Sequence, residues 1–121
     1  MEEKRILILD DEEEICFLLA TLLSQMGYYT DYVHTLDDGI KKIANDQPFD
    51  LFFLDLNLPD GLGNHIIPLI KDQHRDSKIV MISAHGSILE QIKQQGQKFD
   101  HFIIKPFNRE NISHILSELN L

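Results

Sequence analysis

A chain of 121 residues is long enough for one hydrophobic core and too short for two, which leaves no room for a separate catalytic or DNA-binding module. Twenty acidic against eleven basic side chains give a net charge of −9, with no local Lys/Arg cluster to offset it, so direct binding to a phosphate backbone is not expected. The single Cys16 excludes an internal disulfide and a cysteine-based zinc site; MEEKR carries no apolar signal segment and no run reaches the roughly 18 apolar residues of a membrane span, which makes the cytoplasm the expected location.

RILIL at residues 5–9 is a short apolar run followed at once by acids, the pattern of a strand buried on both faces. From Glu13 to Met26, Ile15, Leu19, Leu22, Leu23 and Met26 keep the spacing of one helical face, with Cys16 as a core thiol and Gly27 as the stop. YTDYV at 29–33 reads as a more exposed second strand, and Thr35 with Asp38 as a capping box ahead of Leu36, Ile40, Ile43 and Ala44.

DLFFL at 50–54 is a third, buried strand. A turn and a helix bearing Ile66, Ile67, Leu69 and Ile70 follow it, and Pro68 is tolerated there only in a first turn. KIVMIS at 78–83 is the fourth strand; the glutamine-rich helix after Gly86 offers only Ile88, Leu89 and Ile92 as an apolar face. FDHFII at 99–104 is the fifth, leading through Lys105, Pro106 and Phe107 to Asn108, the cap of a last helix that faces inward with Ile112, Ile115, Leu116 and Leu119.

Strands alternating with helices across short loops predict a parallel sheet covered on both faces. The expected fold is a flavodoxin-like α/β three-layer sandwich, (βα)5, with a five-stranded parallel sheet in order 2-1-3-4-5, and residues 1–121 forming one domain.

In such sheets ligands bind beyond the carboxyl ends of the strands. Those ends carry Asp10, Asp11 and Glu12, then Asp55 and Asn57, then Ser83 and His85, then Lys105. Three aspartates in one pocket raise each other's pKa values and need a cation to stay ionised. Mg²⁺ fits, since it takes few carboxylates, keeps waters and completes its shell with phosphate oxygens. Lys105 then suits a phosphoryl group. Glu12 to Glu14 are accounted for as an acidic helix start, whereas Asp10 and Asp11, directly after an apolar strand, read as metal ligands. The histidines at 34, 65, 74, 85, 101 and 114 have no metal-ligand spacing and read as scattered surface residues, with His85 the exception.

ILILDDEE, FFLDLNLPDGLG, MISAH and IIKPF, in this order and at these strand ends, resemble the receiver domain of bacterial two-component response regulators, the chemotaxis-regulator-like superfamily. The resemblance spans the whole chain. It implies that Asp55 is the phosphoacceptor, served by a sensor histidine kinase or histidine phosphotransferase. It implies that Asp10, Asp11, Asp55 and the backbone carbonyl of Asn57 hold Mg²⁺, and that Ser83 and Lys105 contact the phosphoryl oxygens. It further implies a cis peptide between Lys105 and Pro106, and a switch role for Phe102, which has no hydroxyl and must act through burial and shape.

The implied output surface is the fourth helix, fifth strand and fifth helix, read by a downstream effector protein or by an output domain missing from this chain. His85 and Asn57 line the approach to the phosphoryl group and are expected to modulate its lifetime. Such a protein assists its own phosphorylation without being a turnover enzyme. Residues 86–98 depart from the family pattern, lacking its alanine-rich helix and Gly-Ala pair. Two rivals fare worse: a haloacid-dehalogenase-type phosphohydrolase wants a second aspartate where Asn57 stands, and a receiver-like interaction module without phosphorylation does not need the intact set Asp10, Asp11, Asp55, Ser83 and Lys105.

Overall fold

Runs of branched and aromatic residues, too apolar to face water on either side, become the strands of one parallel sheet. The computed structural model describes residues 3–96 and 98–121. In chain order these form β1 (Arg5–Leu9), α1 (Glu13–Gln25), β2 (Tyr29–Val33), α2 (Leu36–Asn45), β3 (Leu51–Asp55), α3 (Ile67–Gln73), β4 (Lys78–Ser83), α4 (Gly86–Gln94), β5 (His101–Ile104) and α5 (Arg109–Glu118). The sheet order is β2-β1-β3-β4-β5, every pair parallel. This is the flavodoxin-like arrangement expected from the sequence.

The strand period of two divides the core into halves. Leu7, Leu9, Phe52, Leu54, Ile79 and Met81 pack under the elements that carry Leu36, Ile66, Ile67, Ile70, Leu89 and Ile92. Ile6, Ile8, Leu51, Phe53, Val80 and Ile82 pack under Cys16, Leu19 and Leu23 of α1 and Ile112, Ile115 and Leu116 of α5. Each such side chain, fully withdrawn from water, contributes about 1.5–3 kcal/mol before entropy is counted. The two cores clamp the sheet, and the strand ends form one rim.

Local details depart from the sequence pattern where tertiary contacts intervene. β3 runs through Asp55, so the carboxylate is its last residue. β5 begins only at His101, because Asp100 Oδ2 accepts the N–H of Ile79 at 2.8 Å. Ile66 sits in a 3-10 turn, Gly63–Ile66, and α3 starts after it with Pro68 in its first turn. Of the apolar face expected on α4, Leu89 and Ile92 are buried and Ile88 is exposed. Thr35 Oγ1 accepts the N–H of Asp38, but the N–H groups of Leu36 and Asp37 are taken by Asp60 at 2.8 and 2.9 Å. A residue from the loop after β3 thus completes the cap of α2 and ties that loop down. Asn108 and Asn111 form a full capping box at α5, and the Lys105–Pro106 peptide is cis.

That loop also holds a two-residue hairpin, Asn57–Leu58 with Gly61–Leu62, which the sequence pattern did not announce. It returns the chain to β3: Gly63 N–H donates to the carbonyl of Leu56 at 2.8 Å. A Cβ on Gly63 would run into the backbone carbonyl of Asp55. Backbone cannot yield as a flexible side chain can, so Gly63→Ala is expected to destabilise the protein by about 2–4 kcal/mol in denaturant unfolding, whereas alanine at exposed Gly96, whose Cβ would meet open space, costs less through its φ of +94° alone.

Candidate functional site

β1 and β3 are neighbours, so the residues at their carboxyl ends are forced together. Asp10 is fully buried and Asp55 is 4% exposed, while Asp11 faces solvent. One carboxylate oxygen from each can be chosen so that all lie within 4.8 Å of one another. Burial, and then the charge of Asp10, push the Asp55 carboxyl up to about 7. Burial likewise raises Asp10, against the N–H of Glu12 and the ammonium of Lys105, which pull it down.

Lys105 enters from the start of the loop after β5. Its Nζ lies 2.9 Å from Glu12 Oε1, 3.1 Å from Asp10 Oδ2 and 3.6 Å from Asp55 Oδ2. Burial works to lower its pKa, and the Glu12 and Asp10 carboxylates more than reverse this, so it stays charged. Its own N–H bonds the carbonyl of Ser83 at 2.8 Å, which sets the two residues side by side across β4 and β5. Ser83 is buried, and its Oγ accepts the N–H of His85 at 3.1 Å and points a weaker 3.4 Å contact at the His85 carbonyl.

The remaining expected residues occupy the rim or the flank. Asn57 is exposed, with its N–H 3.4 Å from Asp55 Oδ1. His85 is exposed at the N-cap of α4, where its side chain makes no cap bond. Phe102 is half-buried against the core, edge-on to Phe99 at 6.4 Å. Asp10, Asp11, Asp55 and Lys105 are therefore one constellation, Ser83 adjoins it through its backbone, and Phe102 lies on the β5 flank.

Sequence reasoning missed two residues. Glu12 was assigned to helix-start electrostatics alone, yet its side chain is the nearest partner of Lys105. Gly63 carries no chemistry and sets the backbone of Asp55 by close approach. The histidines are also less idle than expected: His34 Nδ1 lies 2.8 Å from the carbonyl of Asp10 while its Nε2 meets Glu13, and His101 and His114 share Glu118. Cys16 is buried as expected, its thiol pushed up to about 12 by burial.

The donor set fits a hard divalent cation. Every candidate ligand is an oxygen, and the Asp10 carboxylate is fully buried with Lys105 Nζ 3.1 Å from its Oδ2. Four carboxylates face one ammonium here, an imbalance that a dication offsets. Among the described residues no other cluster of three such groups forms, and no helix is long and apolar enough to cross a membrane.

A family model for the response regulator receiver domain matches residues 6–117. Among curated proteins, the chain is 36% identical over 111 residues to the nitrogen assimilation regulatory protein NtrX of Azorhizobium caulinodans, covering 88% of this chain and 24% of that protein. It is 30% identical over 111 residues to the phosphate regulon transcriptional regulatory protein PhoB of Klebsiella pneumoniae, covering 90% and 48%. The chain thus spans about a quarter to a half of the length of these relatives. A solved receiver domain protein from Methanospirillum hungatei superposes with a TM-score of 0.86 at 28% identity, covering 98% of this chain and 95% of that one. One of these longer relatives is by name a transcriptional regulator, so the expectation of no nucleic-acid contact, drawn from the charge of 121 residues, does not extend beyond them.

The raised Asp55 pKa fixes the sign of a pH effect. Between its ordinary 3.8 and about 7 the folded chain binds a proton that the unfolded chain has lost, so metal-free stability falls as pH rises through that window. Thermal melts of the metal-free protein are expected to fall between about pH 4 and pH 7. Asp55→Asn should flatten much of this dependence and melt about 5 °C higher than wild type at the alkaline end; Mg²⁺ should raise the wild-type melt there and leave the variant nearly unchanged.

Proposed function

The chain belongs to the response regulator receiver domain family, and from that membership we propose that residues 1–121 form one receiver domain acting as a phosphorylation-activated switch in a two-component phosphorelay. Receiver domains are in general signalling switches rather than turnover enzymes. The phosphoryl donor is a sensor histidine kinase or a histidine phosphotransferase, and the acceptor is Asp55. The observation that carries this reading is the buried Asp55 carboxylate at the meeting point of two other aspartates and one lysine.

An Asp55 oxygen attacks phosphorus, the bond from phosphorus to the donor's imidazole nitrogen breaks, and that nitrogen keeps the electron pair. Mg²⁺, typical of the family at such acidic clusters, would be held by Asp10, Asp11, Asp55 and the Asn57 carbonyl, and supplies charge neutralisation on the transferring oxygens. Lys105 pairs with the new anionic oxygens, which bring roughly −1.5 to −2 of charge to the site. Ser83 Oγ turns from the His85 backbone to donate to the same group, and the β4-α4 loop follows it.

The rearrangement reaches Phe102 on the neighbouring strand, whose ring moves within its half-buried site. The α4-β5-α5 face passes the state to a downstream effector protein or to an output domain outside residues 1–121. His85, exposed beside Ser83, and Asn57, exposed beside Asp55, govern access of water and so the lifetime of the phosphorylated state. A cytoplasmic site of action accords with this role.

Incubation with acetyl phosphate and Mg²⁺, read by intact mass, tests the reading. Wild type is expected to gain one phosphoryl group and Asp55→Asn none; a wild type without an Asp55-dependent gain would overturn it. Lys105→Ala should reduce accumulation by about tenfold or more. Replacing His85 should change the dephosphorylation rate by about threefold or more, and an unchanged rate would remove His85 from the account.

A further inference from the structure

Lys105 has three carboxylates within reach, and one of them stands outside the acidic triad. Asp10 and Asp55 belong to the cluster that fits a dication, together with Asp11. Glu12, the nearest at 2.9 Å, does not. It occupies the N-cap of α1, where an acidic side chain ordinarily accepts from the helix's free N–H groups. Here no side-chain cap bond forms, and the carboxylate instead bonds a residue 93 positions further along the chain. The Glu12 backbone is tied to the site through its N–H, 2.9 Å from Asp10 Oδ1, whereas its side chain is 58% exposed and has room to withdraw.

Resting on the reading of Asp55 as phosphoacceptor, we propose that Glu12 is a positioning residue that holds Lys105 in the resting state and competes with the phosphoryl group for its ammonium. An ammonium has only three N–H donors, and in the resting chain Glu12, Asp10 and Asp55 surround them. Once the triad's charge is engaged by a dication, Glu12 is the remaining anion that holds Lys105 among the described residues. The phosphoryl group on Asp55 must draw Lys105 away from it. Glu12 thereby sets how readily the site passes into its phosphorylated form, without touching the reacting atoms.

Three variants separate this role from a general charge effect. Glu12→Gln removes the competitor, Glu12→Asp keeps its charge, and Glu14→Gln makes the same charge change at an exposed position on α1. In titrations with beryllofluoride and Mg²⁺, Glu12→Gln is expected to lower the half-saturating concentration by about two- to fivefold, the range for a solvent-exposed ion pair. Glu12→Asp should lie between it and wild type, and Glu14→Gln should match wild type. In the metal-free protein, acylation of Lys105 read by peptide mass spectrometry should be about twofold or more faster in Glu12→Gln than in Glu14→Gln.

Equal behaviour of Glu12→Gln and Glu14→Gln in both measurements overturns the proposal, as does weaker beryllofluoride binding by Glu12→Gln, which would make Glu12 a helper rather than a competitor. If wild type binds no beryllofluoride and gains no Asp55-dependent mass, the phosphoacceptor reading fails and this proposal with it. If wild type does both, a null result at Glu12 removes the holding role alone.

Discussion

A carboxylate at the end of a strand buried on both faces is the constraint around which this molecule is arranged. Asp55 is only 4% exposed, so solvent stabilises its charge little, and a second buried carboxylate, Asp10, lies beside it. Isolated, such a pair is costly; its compensation must come from residues that the fold brings from elsewhere in the chain. The parallel sheet does this by topology, because every strand ends at the same edge. β1 delivers the second acid, β4 delivers Ser83, and the loop after β5 delivers the lysine.

The compensation within the protein is deliberately incomplete in the physical sense that one ammonium faces four carboxylates. An apolar floor beneath the rim keeps the local dielectric low, so the residual imbalance is felt strongly. On the proposed function, it suits the site to a dication first and to a phosphoryl group second. On that reading, the contacts that satisfy Lys105 and Ser83 at rest, Glu12 for the lysine and the His85 backbone for the serine, are the ones exchanged when phosphate arrives. Stability and the proposed switching therefore draw on the same few bonds.

Much of this was legible in the sequence because it is local. RILIL, YTDYV and KIVMIS coincide with β1, β2 and β4, and the strand-end acids and Lys105 converge as the expected strand order requires. What escaped was set by tertiary closure. Nothing near Glu12 says that its side chain will leave its own helix for Lys105; nothing near Asp60 says that it will cap α2. Gly63 reads as a turn residue until the backbone of Asp55 is found against it. Ile88 looked inward by spacing, but only Leu89 and Ile92 reach the core from so short a helix.

The most direct test of the central claim is a crystal structure of the protein with Mg²⁺ and beryllofluoride. The account predicts beryllium bonded to an Asp55 oxygen, with Mg²⁺ among Asp10, Asp11, Asp55 and the Asn57 carbonyl. It also predicts fluorine atoms within hydrogen-bond reach of Ser83 Oγ and Lys105 Nζ, the latter drawn off Glu12. Metal density remote from these carboxylates, or an Asp55 left free with Lys105 still seated on Glu12, would contradict it.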